Sequence, residues 1–420
     1  MTTPSCTSPV AGATPDAAVW PPVLFGQARI IDMAFRGHDL APLITEFQTR
    51  AQKNPRDAAA VLDLASVLIV LRQREDGFSL QQHALALEQV FRQPVATAGA
   101  SPLRVLMFVG AGDFMANIPV QFLLDGGNIA LDLVYVRPDK PLPAQVPDHD
   151  VAIVGIAESD ENRPLLDTLG TALAAWPKPV LINPGRVAAL SRESLWKVLA
   201  GAPGLMVPPT VRFERAAVAR MADDPQILGS AVAGTSYPII VRPVGSHAGN
   251  GLKKIDSGEE LHAYLADQPG DTFYVSPFVD YRNADGQFRK YRVAVVDGQP
   301  FACHLAIADR WMLHYLNAGM EESADKRTQE ARWFDTFDHD FAVRHEDAFR
   351  ALHQRLGLEY LVFDCAEAQG GQLLVFEADT AMVVHSMDSS NLFPYKGPQM
   401  RRVFKAFQNM LFAHASPPIV

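Results

Sequence analysis

Two apolar runs in the last fifth of the chain carry carboxylates that a folded core has to accommodate. Tyr360-Leu-Val-Phe-Asp364-Cys reads as a strand from its β-branched and aromatic content, and Leu373-Leu-Val-Phe-Glu377-Ala-Asp379 reads as the next. Strand residues two apart share a face, so Glu377 and Asp379 point the same way, and pairing the two strands adds Asp364. Three carboxylates on an otherwise apolar sheet face repel one another unless a cation lies among them. Hard oxygen ligands of this kind suit Mg2+. A metal-binding strand pair is the expectation, with solvent-facing acids on an edge strand as the alternative.

A second stretch lies upstream. Tyr237-Pro-Ile-Ile-Val-Arg242-Pro-Val-Gly245-Ser246-His-Ala-Gly249-Asn-Gly251 is a short β run, then a cation, then a loop of small residues. Glycines let backbone N–H groups approach an anion closely, and successive N–H groups form an anion-binding concavity. Alone, the pattern fits a plain glycine-rich hairpin equally well. Beside three carboxylates that could hold a cation, it fits a phosphate grip.

The 420 residues allow two to four domains at ~100–200 residues each. The net charge of -10 argues against a general binder of nucleic acid or anionic membrane, since both need a basic surface. Cys6, Cys303 and Cys365 are scattered, without metal-ligand spacing, which fits a reducing cytoplasm better than a disulfide framework. The N-terminus shows no signal-peptide pattern, and no apolar run approaches the ~18 residues of a membrane span.

In chain order, residues 1–22 read as a flexible tail rich in Thr, Pro, Ala and Ser, docking near Trp20. Residues 23–100 read as a helical domain. Asn54-Pro55-Arg56-Asp57 opens a helix with Val61, Leu64, Ala65, Leu68 and Leu71 at helical spacing. Gly77 is expected to break it, and a last helix to run from about Leu80 to Phe91. One tetratricopeptide unit is faintly resembled here, without a second copy at a fixed period. The domain is left with two readings, a packing scaffold or a docking surface for a peptide or protein partner. After a linker over Ala96–Pro102, residues 101–205 alternate strands and helices, predicting a small parallel α/β layer. Its Gly110-Ala-Gly112 turn lacks the third glycine of a dinucleotide fingerprint, Met115 standing there, and more plausibly lines a substrate pocket.

Residues from about 103 to 412 resemble the ATP-grasp superfamily, nearest its glutathione-synthetase and ribosomal-protein glutamate-ligase branch. The resemblance rests on the order and spacing of short motifs: the helix bearing Lys197, the Arg242 strand with its glycine loop, Thr272-Phe-Tyr-Val-Ser-Pro-Phe-Val-Asp280, Arg289-Lys-Tyr-Arg292, Arg310, His314-Tyr-Leu-Asn317, and the Asp364 and Glu377-x-Asp379 strands. It implies an α+β fold over residues 206–415, two lobes with ATP between them, preceded by the α/β domain and the helical domain. It implies that Lys197, Arg242, Gly245, Ser246 and Gly249 grip phosphate. Tyr274, Val275, Pro277 and Phe278 then form the hinge over adenine, and Asp280 reaches the ribose. Asp364, Glu377 and Asp379 hold two Mg2+, and Arg292 and Arg310 stabilise the transferring phosphoryl group. Asn317 and His385 line the substrate side. Arg242 stands where lysine is usual, Ser276-Pro277 departs from the hinge pattern, Lys290 stands where an acid is usual, and Asp379 replaces Asn. The activity implied is an Mg2+-dependent, ADP-forming ligase that joins a carboxylate to an amine through an acyl phosphate, acting on amino-acid or peptide substrates. Two rivals follow: a nucleotide-binding regulatory protein on the same fold, or a peptide-modifying ligase that recruits its substrate through the helical domain.

Overall fold

The computed structural model describes residues 20–94, 101–246 and 249–415. Most of the expected tail and linker lie outside these, as do His247 and Ala248 of the glycine loop. The fold is α+β, with three sheets and an N-terminal set of helices.

Helices α1 (Gln27–Phe35), α2 (Ala41–Lys53), α3 (Ala58–Val70) and α4 (Arg74–Leu87) come first. Asp57 caps α3 by accepting the Ala60 N–H at 2.9 Å, as the sequence signal predicts. Two expectations fail here. Gly77 does not break a helix; it lies inside α4, and a Cβ there would meet Ile69 Cγ1 at 2.6 Å, so glycine permits the close α3–α4 approach. The expected helix end at Phe91 is instead a strand, β1 (Val90–Arg92). The β-branched and aromatic pair Val90-Phe91 finds a sheet edge, and that pairing outweighs helical propensity. Arg92 then forks onto Asp132 across the pair, at 2.8 and 3.0 Å.

The first sheet adds β2 (Leu103–Gly110), β3 (Ile129–Val136), β4 (Val151–Val154) and β5 (Val180–Leu181), in the order β1-β3-β2-β4-β5. All neighbours except β1 are parallel. The chain leaves β2 to one side for β3 and returns on the other for β4. The loops after β2 and β4 therefore diverge, which opens a crevice at the strand ends.

After β6 (Leu205–Met206), the small lobe is an antiparallel sheet of β7 (Val211–Glu214), β8 (Ile239–Pro243), β9 (Lys253–Ile255) and β10 (Thr272–Pro277), ordered β7-β10-β8-β9. Strand alternation sends Ile239, Val241, Ile255, Phe273 and Val275 into a core with Val218, Met221, Leu228 and Leu261 of its helices. The opposite face carries Arg212, Tyr274 and Arg242 in register, then Ser276, Ile240 and Lys254.

The large lobe orders β11 (Phe288–Val296), β12 (Gln299–Ala308), β13 (Tyr360–Glu367) and β14 (Leu373–Asp379) as β12-β11-β13-β14-β6. Asp297 and Gly298 turn the β11–β12 hairpin with φ of 46° and 80°, the left-handed pair that a two-residue turn requires. Tyr291, Phe363 and their neighbours pack on Trp333, Phe341 and Phe349, while Tyr360 packs on Phe407 of the C-terminal helix. Cys303 and Cys365 are buried and unbridged. No helix among the described residues is long and apolar enough to cross a membrane.

Candidate functional site

Arg292, Asp364 and Glu377 lie side by side across β11, β13 and β14. The shared carboxylate face expected from the sequence therefore forms. Its charge is answered by the chain itself. Asp364, 1% exposed, receives the Arg292 guanidinium at 2.8 and 3.2 Å and the Lys290 ammonium at 2.6 Å. Burial alone would raise the Asp364 carboxyl; Arg292 and Lys290 overturn that and hold it far below the usual range. The remaining Arg292 nitrogen donates to the Val383 carbonyl at 3.1 Å. His304 stands opposite Arg292 on β12, and burial, then Arg292, keep its imidazole neutral.

Glu377 is met by Arg192, which also donates to the Phe376 carbonyl at 2.8 Å. Burial pushes Glu377 up, but Arg192 and then Lys290 more than offset it, leaving its carboxyl at about 2. Among the described residues Asp379 has no such cation. Burial pushes it up to about 6, against N–H bonds from Ala381 and Thr380. Glu158, from the loop after β4, is pushed up to about 7 by burial and by Asp379, with Arg163 at 3.1 Å acting the other way.

The helix Arg192–Leu199 corrects one expectation. Lys197 does not turn to the cleft; it pairs with Glu193 at 2.8 Å on the exposed side. Five residues apart on a helix means about 140° of rotation, so Arg192 and Lys197 cannot share a face. Ser191 caps the helix by accepting the Ser194 N–H at 3.3 Å, and thereby fixes where Arg192 points.

Arg242 of β8 is buried, and its guanidinium bonds the carbonyl and hydroxyl of Ser246. It folds its own loop around itself. Burial, then Arg192, lower it to about 10, while Glu377 acts the other way, which places the small-lobe cation against the large-lobe acids. Gly245 and Gly249 adopt φ of 73° and 75°. A Cβ on Gly249 would lie 2.5 Å from His314 Nε2, so Gly249 sits directly against the loop after β12. His314 Nε2 is buried and without a hydrogen-bond partner among the described residues.

The hinge residues divide. Tyr274 faces the cleft, its hydroxyl raised by burial and by Glu158 and Asp160. Val275 points into the small-lobe core and can offer only backbone. Phe278 donates its N–H to the Pro238 carbonyl at 3.0 Å, stacks edge-on to Trp311 and lies beneath Lys254 at 5.0 Å. Pro277 ends β10 opposite Ile239. Asp280 is exposed and holds the Arg282 N–H at 3.0 Å.

On the substrate side, Arg310 and Asn317 serve their own loop. Arg310 bonds the Asn317 carbonyl, and Asn317 Oδ1 accepts the His314 N–H at 3.0 Å. His385 lies between Phe35 of α1 and Phe122, with Nδ1 accepting the Met387 N–H at 3.1 Å. The helical domain thus touches the wall of the cleft. Arg192 and Glu158 are cleft residues that the sequence reading did not select, whereas His314 opens a motif that it did. Arg192 follows directly after a cap residue, which is the signal that could have found it.

The three carboxylates do not fit a pair of divalent ions. Among the described residues no three His, Cys, Asp or Glu side chains converge as a metal cradle. Asp364 and Glu377 spend their oxygens on Lys290, Arg292 and Arg192, and of the three only Asp379 is without an ion pair among the described residues.

No protein-family model matches the chain, and no curated protein matches it. It is similar to solved structures of the VanG D-Ala:D-Ser ligase from Enterococcus faecalis (13% identity, TM-score 0.47, 75% of this chain and 100% of that one). It is also similar to a RimK domain ATP-grasp protein from Sphaerobacter thermophilus (16%, 0.40, 74% and 99%) and to D-alanyl-alanine synthetase A from Vibrio cholerae (12%, 0.45, 76% and 99%). No residue role is carried across at these identities.

Proposed function

We propose that the chain is an ATP-dependent ligase that joins a carboxylate to an amine, with ADP and phosphate as co-products. The observation that carries this reading is the meeting of two charged sheet faces. Arg242 of the small lobe lies within electrostatic reach of Arg192 and Glu377, and Gly249 abuts His314, which Lys290 and Arg242 both influence. Such a cleft suits a polyphosphate. Loop N–H groups and guanidinium forks bind its oxygens, and the closed loop excludes water.

The substrate carboxylate oxygen attacks the γ-phosphorus and ADP leaves, giving an acyl phosphate. The amine then attacks the acyl carbon and phosphate leaves. Glu158, which burial and Asp379 push up to about 7, is the group to which this reading assigns the proton that the amine releases. Arg292 and Arg192 offset the charge that develops on the phosphoryl group.

A second reading is favoured by the capping of Asp364: a protein that binds nucleotide and responds to it without turnover. Incubation with ATP and a panel of amino acids and short peptides separates the two. ADP release that depends on an added amine, and disappears in Glu158→Gln, supports the ligase. ATP bound but never cleaved supports the regulatory reading.

A further inference from the structure

A divalent ion bound by Asp364 would sit about 2.0–2.6 Å from its oxygens. Those oxygens already hold Lys290 at 2.6 Å and Arg292 at 2.8 Å, inside a face where Asp364 is 1% exposed. An ion placed there would have to displace two cations or accept their repulsion at close range. The register makes the capping a property of the fold. Arg292 stands opposite Asp364 on the adjacent strand, and Lys290 lies two residues along the same strand, hence on the same face.

Charge count agrees. Among the described residues the cleft presents Arg192, Arg242, Lys290 and Arg292, with Arg163 on Glu158, against Asp364, Glu377, Asp379 and Glu158, five cations to four carboxylates. A cradle awaiting two divalent ions would carry a surplus of acid. Among the described residues Arg242 is in no ion pair, bonding only Ser246, so its charge is available to an anion.

We propose that Lys290 and Arg292 replace a divalent cation in this cleft, so that nucleotide phosphates are held by side-chain cations and binding does not require metal. This rests on the nucleotide reading above and concerns binding.

The test is titration of the full chain with a fluorescent ATP analogue, in EDTA and in Mg2+. The expected result is Kd values within about threefold of each other, under 1 kcal/mol. Lys290→Glu is expected to lose about tenfold or more in EDTA and to regain much of it in Mg2+, because the new acid recreates a cation site. Lys290→Met is expected to weaken binding alike in both buffers. Wild-type binding that collapses about a hundredfold in EDTA overturns the inference and leaves the nucleotide reading standing. No binding in either buffer overturns both. Should Lys290→Glu fail to fold, judged by circular dichroism, the wild-type comparison decides alone.

Discussion

Arg292 and Asp364 face each other across β11 and β13, Nε to Oδ1 at 2.8 Å, with Lys290 closing on the same carboxylate. Asp364 is buried and both cations are largely so. Removing the acid strands two buried positive charges. Asp364→Ala is therefore expected to cost about 3–5 kcal/mol, the range for breaking a buried pair from one side. Urea unfolding followed by tryptophan fluorescence checks this. Replacing Lys290, Arg292 and Asp364 together by apolar residues is expected to be milder, since no charge is then left unpaired. Equal losses in the single and triple variants would show that the triad is not a closed electrostatic unit.

Arg192 and Lys197 sit on one helix but turn opposite ways, the first to Glu377 in the cleft and the second to Glu193 in solvent. Arg192→Met removes a charge-assisted donor, worth about 1.5–3 kcal/mol, so nucleotide affinity is expected to fall roughly 10- to 100-fold. Lys197→Met is expected to change it by less than about twofold, as suits an exposed helix pair. Competition binding with the two variants side by side gives the answer, and the opposite ranking would restore Lys197 to the phosphate grip.

That pair also shows what the sequence can and cannot reveal. Strand alternation was enough to put Asp364, Glu377 and Asp379 on one face, because period two is fixed by backbone geometry. The parallel layer was legible from a similarly local signal, the alternation of strand and helix patterns. The cations that answer the acids were not. Arg192 reaches Glu377 across 185 positions, and Glu158 arrives from another sheet, contacts that no local pattern encodes. Gly77 misled because glycine in a helix signals a break or a close approach equally well, and only Ile69 on the neighbouring helix decides between them. The demand for a cation among three carboxylates was physically sound. What the strands alone could not reveal was that Lys290 and the arginines would supply it.

Glu158 gives the cleft a pH response. Burial, then Asp379, hold its carboxyl near 7 in the folded protein, above the ordinary 4.5. Between those values the native state keeps a proton that the unfolded state has lost. Stability therefore falls as pH rises from about 4.5 to 7, by on the order of 3 kcal/mol for this group. Ionisation also adds a negative charge to the proposed phosphate site, so nucleotide affinity is expected to weaken over pH 6–8. Glu158→Gln should flatten both trends. Urea midpoints and Kd values measured at pH 5.5, 6.5 and 7.5 in the two proteins test this, and parallel slopes would locate the titrating group elsewhere.

Gly249 and His314 offer a test of whether the glycine loop closes as described. A Cβ at Gly249 meets His314 Nε2 at 2.5 Å, and the φ of 75° is one that alanine resists. Two costs add in Gly249→Ala: backbone strain of about 1–2 kcal/mol and a collision. His314→Ala removes the ring and with it the collision, but not the strain. In the double variant Gly249→Ala/His314→Ala, nucleotide affinity is expected to recover part of what Gly249→Ala loses. The residual deficit should be near the strain alone. The single His314→Ala keeps the backbone N–H that Asn317 accepts, so its loop stays folded and its own effect reports the imidazole's contribution. Strict additivity of the two substitutions would mean that the loop and the histidine do not touch in solution, and the closed cleft would then have to be abandoned.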